Sequence, residues 1–240
     1  MADRLTVEVA DGVRTSALAY RAADESRANP TLVLAHGAGA PQQSAFMVGF
    51  AHGLAQRGVD VLTFNFLYTE QRRRAPDRTE KLEACYRAAI AAARAHFTRD
   101  SLFVGGKSMG GRIATHVAAA AGESDVDDRI PSPESRVPIS GVVLLGYPLH
   151  PPGKPEQLRA AHLSRIRVPM LVVQGERDPF GTPEELRPVL DPLTADVTLH
   201  VVANGDHSLA PSRRAESIAS TYRELQDLIA AWLRAHNKKG

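Results

Sequence analysis

Six short runs of aliphatic, largely branched residues recur along the chain: TLVLAH (31–36), VDVLTFNF (59–66), SLFVGG (101–106), GVVLLGY (141–147), PMLVVQG (169–175) and VTLHVVA (197–203). Each is compact and rich in Val and Leu, so each suits a buried strand. An earlier stretch, RTSALAYRA (14–22), does alternate and suits a half-exposed strand. Between the runs lie stretches of helical character near 44–57, 79–97, 109–121, 183–190 and 213–236. Strands that alternate with helices predict an α/β fold. Its sheet should be twisted and mostly parallel, with about seven to eight strands and helices on both faces. Ligands on such sheets bind beyond the carboxyl ends of the strands, so the loops that follow each run are where chemistry is expected.

The length of 240 residues suits one such domain, 1–240, and leaves little for a second. Apolar residues make up 43% of the chain and aromatics 5%, which implies a large core built from Ala, Val and Leu. A formal charge of +2 gives no concentrated basic stripe and argues against a nucleic-acid partner. One cysteine, Cys85, excludes an intramolecular disulfide and fits a reducing cytoplasm. The first residues, MADRLTVEVADG, carry charges where a signal peptide needs an apolar run. No stretch reaches the roughly 18 apolar residues of a membrane span. The polar segment 122–138 is expected to be a surface loop. Segment 151–169 has room for one small helix, so little or no lid is expected.

The stretch GGKSMGG (105–111) admits two chemistries. A phosphate-binding loop requires G-x-x-x-x-G-K-[ST], and the position of its first glycine is held here by Ser101. The run SLFVG also occupies the space of the loop, leaving too few backbone N–H groups to wrap a diphosphate. A strand–turn–helix elbow fits better: Ser108 stands at the tip, with Gly106 and Gly110 two residues to either side, where space is tightest. A serine hydroxyl needs a base, and the base needs a group to fix its tautomer. Asp178 follows the 169–175 run and His207 follows the 197–203 run, giving the chain order Ser108, Asp178, His207. Asp206 is a second choice for the acid, because neighbouring loop side chains diverge. Cys85 falls mid-helix and is expected to be inert core.

With elbow, acid and histidine in that order, the chain resembles a compact α/β-hydrolase of the dienelactone-hydrolase-like and small esterase or thioesterase type. The segments HGAGA, GGKSMGG and GERD are similar to a bacterial group related to the hydrolase-like domain of an animal chromatin-acetylation complex subunit. The resemblance covers nearly the whole chain. It implies a serine hydrolase acting on a small ester or thioester through Ser108, His207 and Asp178, without cofactor or metal. The N–H groups of Met109 and, by likeness to H-G-x-G loops, Ala38 would bind the oxyanion. His36 is expected to brace that loop.

Lys107, directly before the serine, either favours anionic substrates or pairs with an acid. Tyr68, Arg72, Arg73, Arg74 and Arg78 follow a strand and are placed near the mouth of the site. The arginines either hold a substrate carboxylate or phosphate or form a solvated surface. Phe46, Met47 and Leu149 suit an acyl pocket and suit the core equally well. The other histidines, His96, His116, His150, His162 and His200, lack metal-ligand spacing. A non-catalytic, partner-binding hydrolase-like module is the alternative, and nucleotide binding at Lys107 a third.

Overall fold

The computed structural model describes residues 2–23, 29–97, 99, 101–124 and 138–237. Among these residues eight strands form one sheet: β1 (Asp3–Ala10), β2 (Val13–Tyr20), β3 (Thr31–Ala35), β4 (Asp60–Phe64), β5 (Leu102–Lys107), β6 (Ile139–Leu145), β7 (Met170–Gly175) and β8 (Val197–Val202). Their spatial order is β1-β2-β4-β3-β5-β6-β7-β8. The pairs from β4 to β8 are parallel, while β2 is antiparallel to both β1 and β4. This is the α/β-type sheet expected from the alternation of strand and helix patterns. The strand missing from that expectation is β1, an edge strand with Val7 as its buried residue.

Among the described residues six helices flank the sheet: α1 (Ala45–Ala55), α2 (Leu67–Glu70), α3 (Thr79–Phe97), α4 (Met109–Ser124), α5 (Pro183–Leu190) and α6 (Ala215–Ala235). Successive strand side chains point to opposite faces, and this divides the core in two. Leu32, Leu34, Phe103, Val143, Leu145, Leu171 and Val173 pack with Phe50, Leu54, Ile229 and Leu233 from α1 and α6. Their strand neighbours Val33, Val104, Val142, Leu144, Met170 and Val172 pack with Tyr86, Ile90, Ile113 and Val117 from α3 and α4. The central strands are therefore apolar on nearly every residue because both faces are covered.

Two helix starts are fixed by local chemistry. Ser44 caps α1, and at α5 Thr182 and Glu185 cap each other's backbone with Pro183 in the first turn. Segment 151–169 carries one 3-10 turn, Leu163–Arg165, so no helical lid stands over the strand ends there. Of the loop expected at 122–138, residues 122–124 instead continue α4, and 125–137 lie outside the described residues. No helix among the described residues is long and apolar enough to cross a membrane.

Candidate functional site

Strand β5 ends at Lys107 and α4 begins at Met109, so Ser108 alone makes the turn. Its φ of 51° lies in the left-handed region, sterically costly for a residue with a Cβ. The turn is this sharp because two glycines let backbones touch. A Cβ at Gly106 would come within 2.5 Å of the Gly110 carbonyl carbon, and one at Gly110 within 2.4 Å of the Ala35 oxygen. The Ser108 N–H donates to the Leu145 carbonyl at 3.0 Å, which ties the turn to the end of β6.

Asp178 and His207 come from the loops after β7 and β8. Those strands are parallel to β5, so all three loops leave the same edge of the sheet. Three strand spacings, roughly 14 Å, separate β5 from β8. The loop carrying His207 must therefore fold back over the ends of β7 and β6. Glycines there leave the space: a Cβ at Gly175 would lie 2.3 Å from the Asp206 carbonyl oxygen, and one at Gly146 3.0 Å from that of His207. The three side chains then meet. His207 Nε2 lies 2.8 Å from Ser108 Oγ, and His207 Nδ1 lies 2.7 Å from Asp178 Oδ2. Asp206 turns the other way and accepts from the N–H groups of Ser208 and Ala210 within its own loop.

Asp178 is fully buried, and its lone pairs are accounted for. Oδ1 accepts from the Phe180 N–H at 2.9 Å, and Oδ2 accepts from Gln174 Nε2 at 2.9 Å as well as facing His207. The Phe180 ring packs on the imidazole at 4.2 Å between centroids. Neither Gln174 nor Phe180 was singled out from the sequence. Gln174 reads as one polar residue in a buried strand, a pattern that itself signals a partner to be satisfied.

The loop after β3 sits opposite. A Cβ at Gly37 would lie 3.5 Å from that of Ser108. His36 Nε2 accepts from the Phe66 N–H at 3.1 Å, so Nδ1 carries the proton and donates to the Gly37 carbonyl at 2.7 Å. Burial holds the His36 imidazole below the usual histidine range, against the opposing pull of that carbonyl. The Gly37–Ala38 peptide is trans, so fixing its oxygen also fixes the Ala38 N–H on the opposite side.

A cavity of about 620 Å³ opens over Ser108 and His207. Phe46 and Met47 line it, together with Gly37, Ala38, Met109 and Phe180. Leu149 does not; it is buried core packed against Gly181. Tyr68 is also buried, away from the mouth, where its hydroxyl donates to the Ala38 carbonyl at 3.0 Å. Arg72, Arg73, Arg74 and Arg78 are exposed and lie outside the lining. The short helix α2 and a left-handed Arg72, φ 58°, turn that segment outward, where Arg73 pairs with Asp77 at 2.5 Å. The cations that do line the cavity are Lys107, Arg112 and Arg159.

The Lys107 ammonium makes no contact ion pair with an acid among the described residues. It donates to the His207 carbonyl, while Asp178 and Asp206 act on it through space. Burial pushes its pKa down to about 8, with the two carboxylates opposing. Cys85 is buried core, its thiol pushed up to about 12 chiefly by burial. Among the described residues no group of three or more His, Cys, Asp or Glu is placed to hold a metal ion.

Residues 28–234 match the family model described as the alpha/beta hydrolase domain. The chain belongs to the α/β-hydrolase family. Solved structures agree with that membership. A dienelactone hydrolase from Anabaena variabilis superposes with a TM-score of 0.72 at 18% identity, covering 99% of each chain. An α/β serine hydrolase without a lid from Xanthomonas campestris gives 0.71 at 18% identity, covering 100% of this chain and 96% of its own. An esterase domain from Rhodothermus marinus gives 0.68 at 17% identity over 98% of both chains. At such identities the likeness is one of fold.

Proposed function

We propose that this α/β-hydrolase is a serine hydrolase that cleaves a carboxylic ester or thioester of a small molecule through an acyl-enzyme. The observation that carries the proposal is the connected chain of hydroxyl, imidazole and carboxylate, with links of 2.8 and 2.7 Å, at the floor of an open cavity. Ser108 Oγ attacks the carbonyl carbon while His207 Nε2 takes its proton. Asp178 accepts from Nδ1–H, holding the tautomer and stabilising the imidazolium. The carbonyl oxygen gains negative charge and is met by the N–H groups of Met109, at the start of α4, and Ala38. The intermediate collapses, and the alcohol or thiol leaves with the proton from Nε2. Water, deprotonated by His207, then attacks the acyl group, and Ser108 departs with that proton. These groups supply every proton transfer and the charge stabilisation.

Two measurements test the proposal together. A fluorophosphonate probe should label Ser108 in the native protein and leave Ser108→Ala unlabelled. Esters of graded acyl length should be hydrolysed by the native protein and not by Ser108→Ala. A folded native protein that takes no label, or equal ester rates in the two proteins, would remove Ser108 from any reaction. A partner-binding role would then be the better reading.

A further inference from the structure

The charge inside the cavity does not match the charge of the chain. The whole molecule is close to neutral at +2, yet the charged residues that line the cavity with Ser108 and His207 are Lys107, Arg112, Arg159 and Asp77. Asp77 is paired through Oδ1 from outside the cavity, by Arg73 at 2.5 Å and Lys81 at 3.6 Å, while its Oδ2 is buried without a hydrogen-bond partner. Lys107 is committed to the His207 carbonyl. The two guanidinium groups have no such commitment. Among the described residues neither Arg112 nor Arg159 makes a side-chain hydrogen bond or an ion pair, although both are half-buried. Burial first, and the neighbouring Arg159 second, hold Arg112 below the usual arginine range.

Both groups are delivered by fixed backbone. Arg112 lies one helical turn beyond the serine, its N–H donating to the Ser108 carbonyl at 3.0 Å. Arg159 is clamped on both sides: its N–H donates to the Leu149 carbonyl at 2.8 Å, and its carbonyl accepts from the Tyr147 hydroxyl at 2.7 Å. Behind Arg112, His116 and His162 stack at 3.8 Å. Burial, aided by the Arg112 charge, holds both below the usual histidine range, His162 at about 3. Those lowered values disfavour a positive charge on either ring beside Arg112, and an imidazole is never an anion that could pair with it. A half-buried guanidinium without a partner is costly, and planar N–H forks are matched by carboxylate and phosphate oxygens.

We infer that Arg112 and Arg159 form an anion subsite of the cavity, and that the substrate is an ester or thioester carrying a carboxylate or phosphate group. The inference rests on the hydrolase reading for the word ester, but the anion subsite stands on its own geometry. Phe46, Met47 and Phe180 supply the apolar wall for the rest of the molecule.

The test compares the 4-nitrophenyl half-ester of glutaric acid with neutral 4-nitrophenyl valerate, at low and high salt. It is joined to calorimetric titration with glutarate, inorganic phosphate and neutral glutaramide. The half-ester should have the higher kcat/KM by about tenfold or more, and the preference should shrink in high salt. Glutarate or phosphate should bind where glutaramide does not, and whichever binds tighter identifies the anion. In Arg112→Gln/Arg159→Gln, with folding checked by circular dichroism, the ester ratio and the anion affinity should both fall about tenfold or more. Equal kcat/KM for the two esters, or anions that bind no better than glutaramide, would overturn the subsite. If neither ester turns over and Ser108 takes no fluorophosphonate, the hydrolase reading fails, and the titrations still decide the anion subsite.

Discussion

The ammonium of Lys107 donates to the backbone carbonyl of His207, joining the residue before the elbow serine to the residue that faces its hydroxyl. The sign of the resulting pH dependence follows from burial. An ordinary lysine titrates near 10.5, and here the folded-state value is about 8. Between those values the unfolded chain binds more protons than the folded one, so stability rises with pH across about 8 to 10.5. The desolvation cost is fully present below pH 8 and is relieved above it. Lys107→Met removes the titration. The stability of the native protein relative to this variant should therefore climb between pH 8 and 10.5, by on the order of 3 kcal/mol at most. Urea unfolding of both proteins across that range checks it, and parallel curves would show that Lys107 keeps an ordinary pKa.

Gln174 is fully buried at the end of β7 and spends its polar atoms on the Asp178 loop and on the Tyr147 backbone. Its Nε2 donates to Asp178 Oδ2 at 2.9 Å and to the Gly181 carbonyl at 2.7 Å, and its Oε1 accepts from the Tyr147 N–H at 2.8 Å. Gln174→Leu leaves these groups buried without partners, at about 1–3 kcal/mol each before relaxation. The expected outcome is a loss of about 2–4 kcal/mol in unfolding free energy. Ester turnover should fall by about tenfold, expressed in kcat rather than KM, because Asp178 loses a fixed orientation and no substrate contact is removed. Turnover equal to the native rate would show that the carboxylate does not depend on this glutamine.

The sequence was informative where one property repeats locally. The buried strands β3 to β7 are apolar at nearly every residue, and the elbow is marked by glycines that sterics demand at 106 and 110. Strand β1 carries the same alternation that marks β2, but only over Leu5, Val7 and Val9 and with a single fully buried position, a short and weak signal. The cavity wall was harder still. Arg72 to Arg74 looked close to the site because they follow a strand, but the backbone turns them outward, and Arg112 and Arg159 take the place beside the serine. Arg112 sat in view one helical turn from Ser108. Arg159 owes its position to contacts with Tyr147 and Leu149 that no local pattern encodes.

His36 sets the peptide that bears the Ala38 N–H, and it also satisfies the buried Phe66 N–H. His36→Ala removes both supports. Stability should fall by about 2–4 kcal/mol, since a buried donor and acceptor are left unpaired. Ester turnover should drop by about a hundredfold if Ala38 contributes one oxyanion donor. His36 is held in its neutral form because Nε2 must stay free to accept from the Phe66 N–H, and burial shifts its pKa in the same sense. Its loss should therefore scale the pH–rate profile without moving it. A displaced profile would mean that His36 itself exchanges protons in the reaction.

The left-handed backbone of Ser108 makes a further distinction measurable, because strain and chemistry reside in the same residue. Both Ser108→Ala and Ser108→Gly remove the hydroxyl and its 2.8 Å contact with His207, so both should abolish ester turnover. They differ in the backbone alone. Alanine keeps a Cβ at φ near 51°, whereas glycine occupies that region without steric penalty. Ser108→Gly should therefore be more stable than Ser108→Ala by about 1 kcal/mol, despite the greater freedom of glycine in the unfolded chain. Urea midpoints measured side by side decide it. A glycine variant no more stable than the alanine one would mean that the turn carries no strain, and that Gly106 and Gly110 already absorb the whole cost of the close approach.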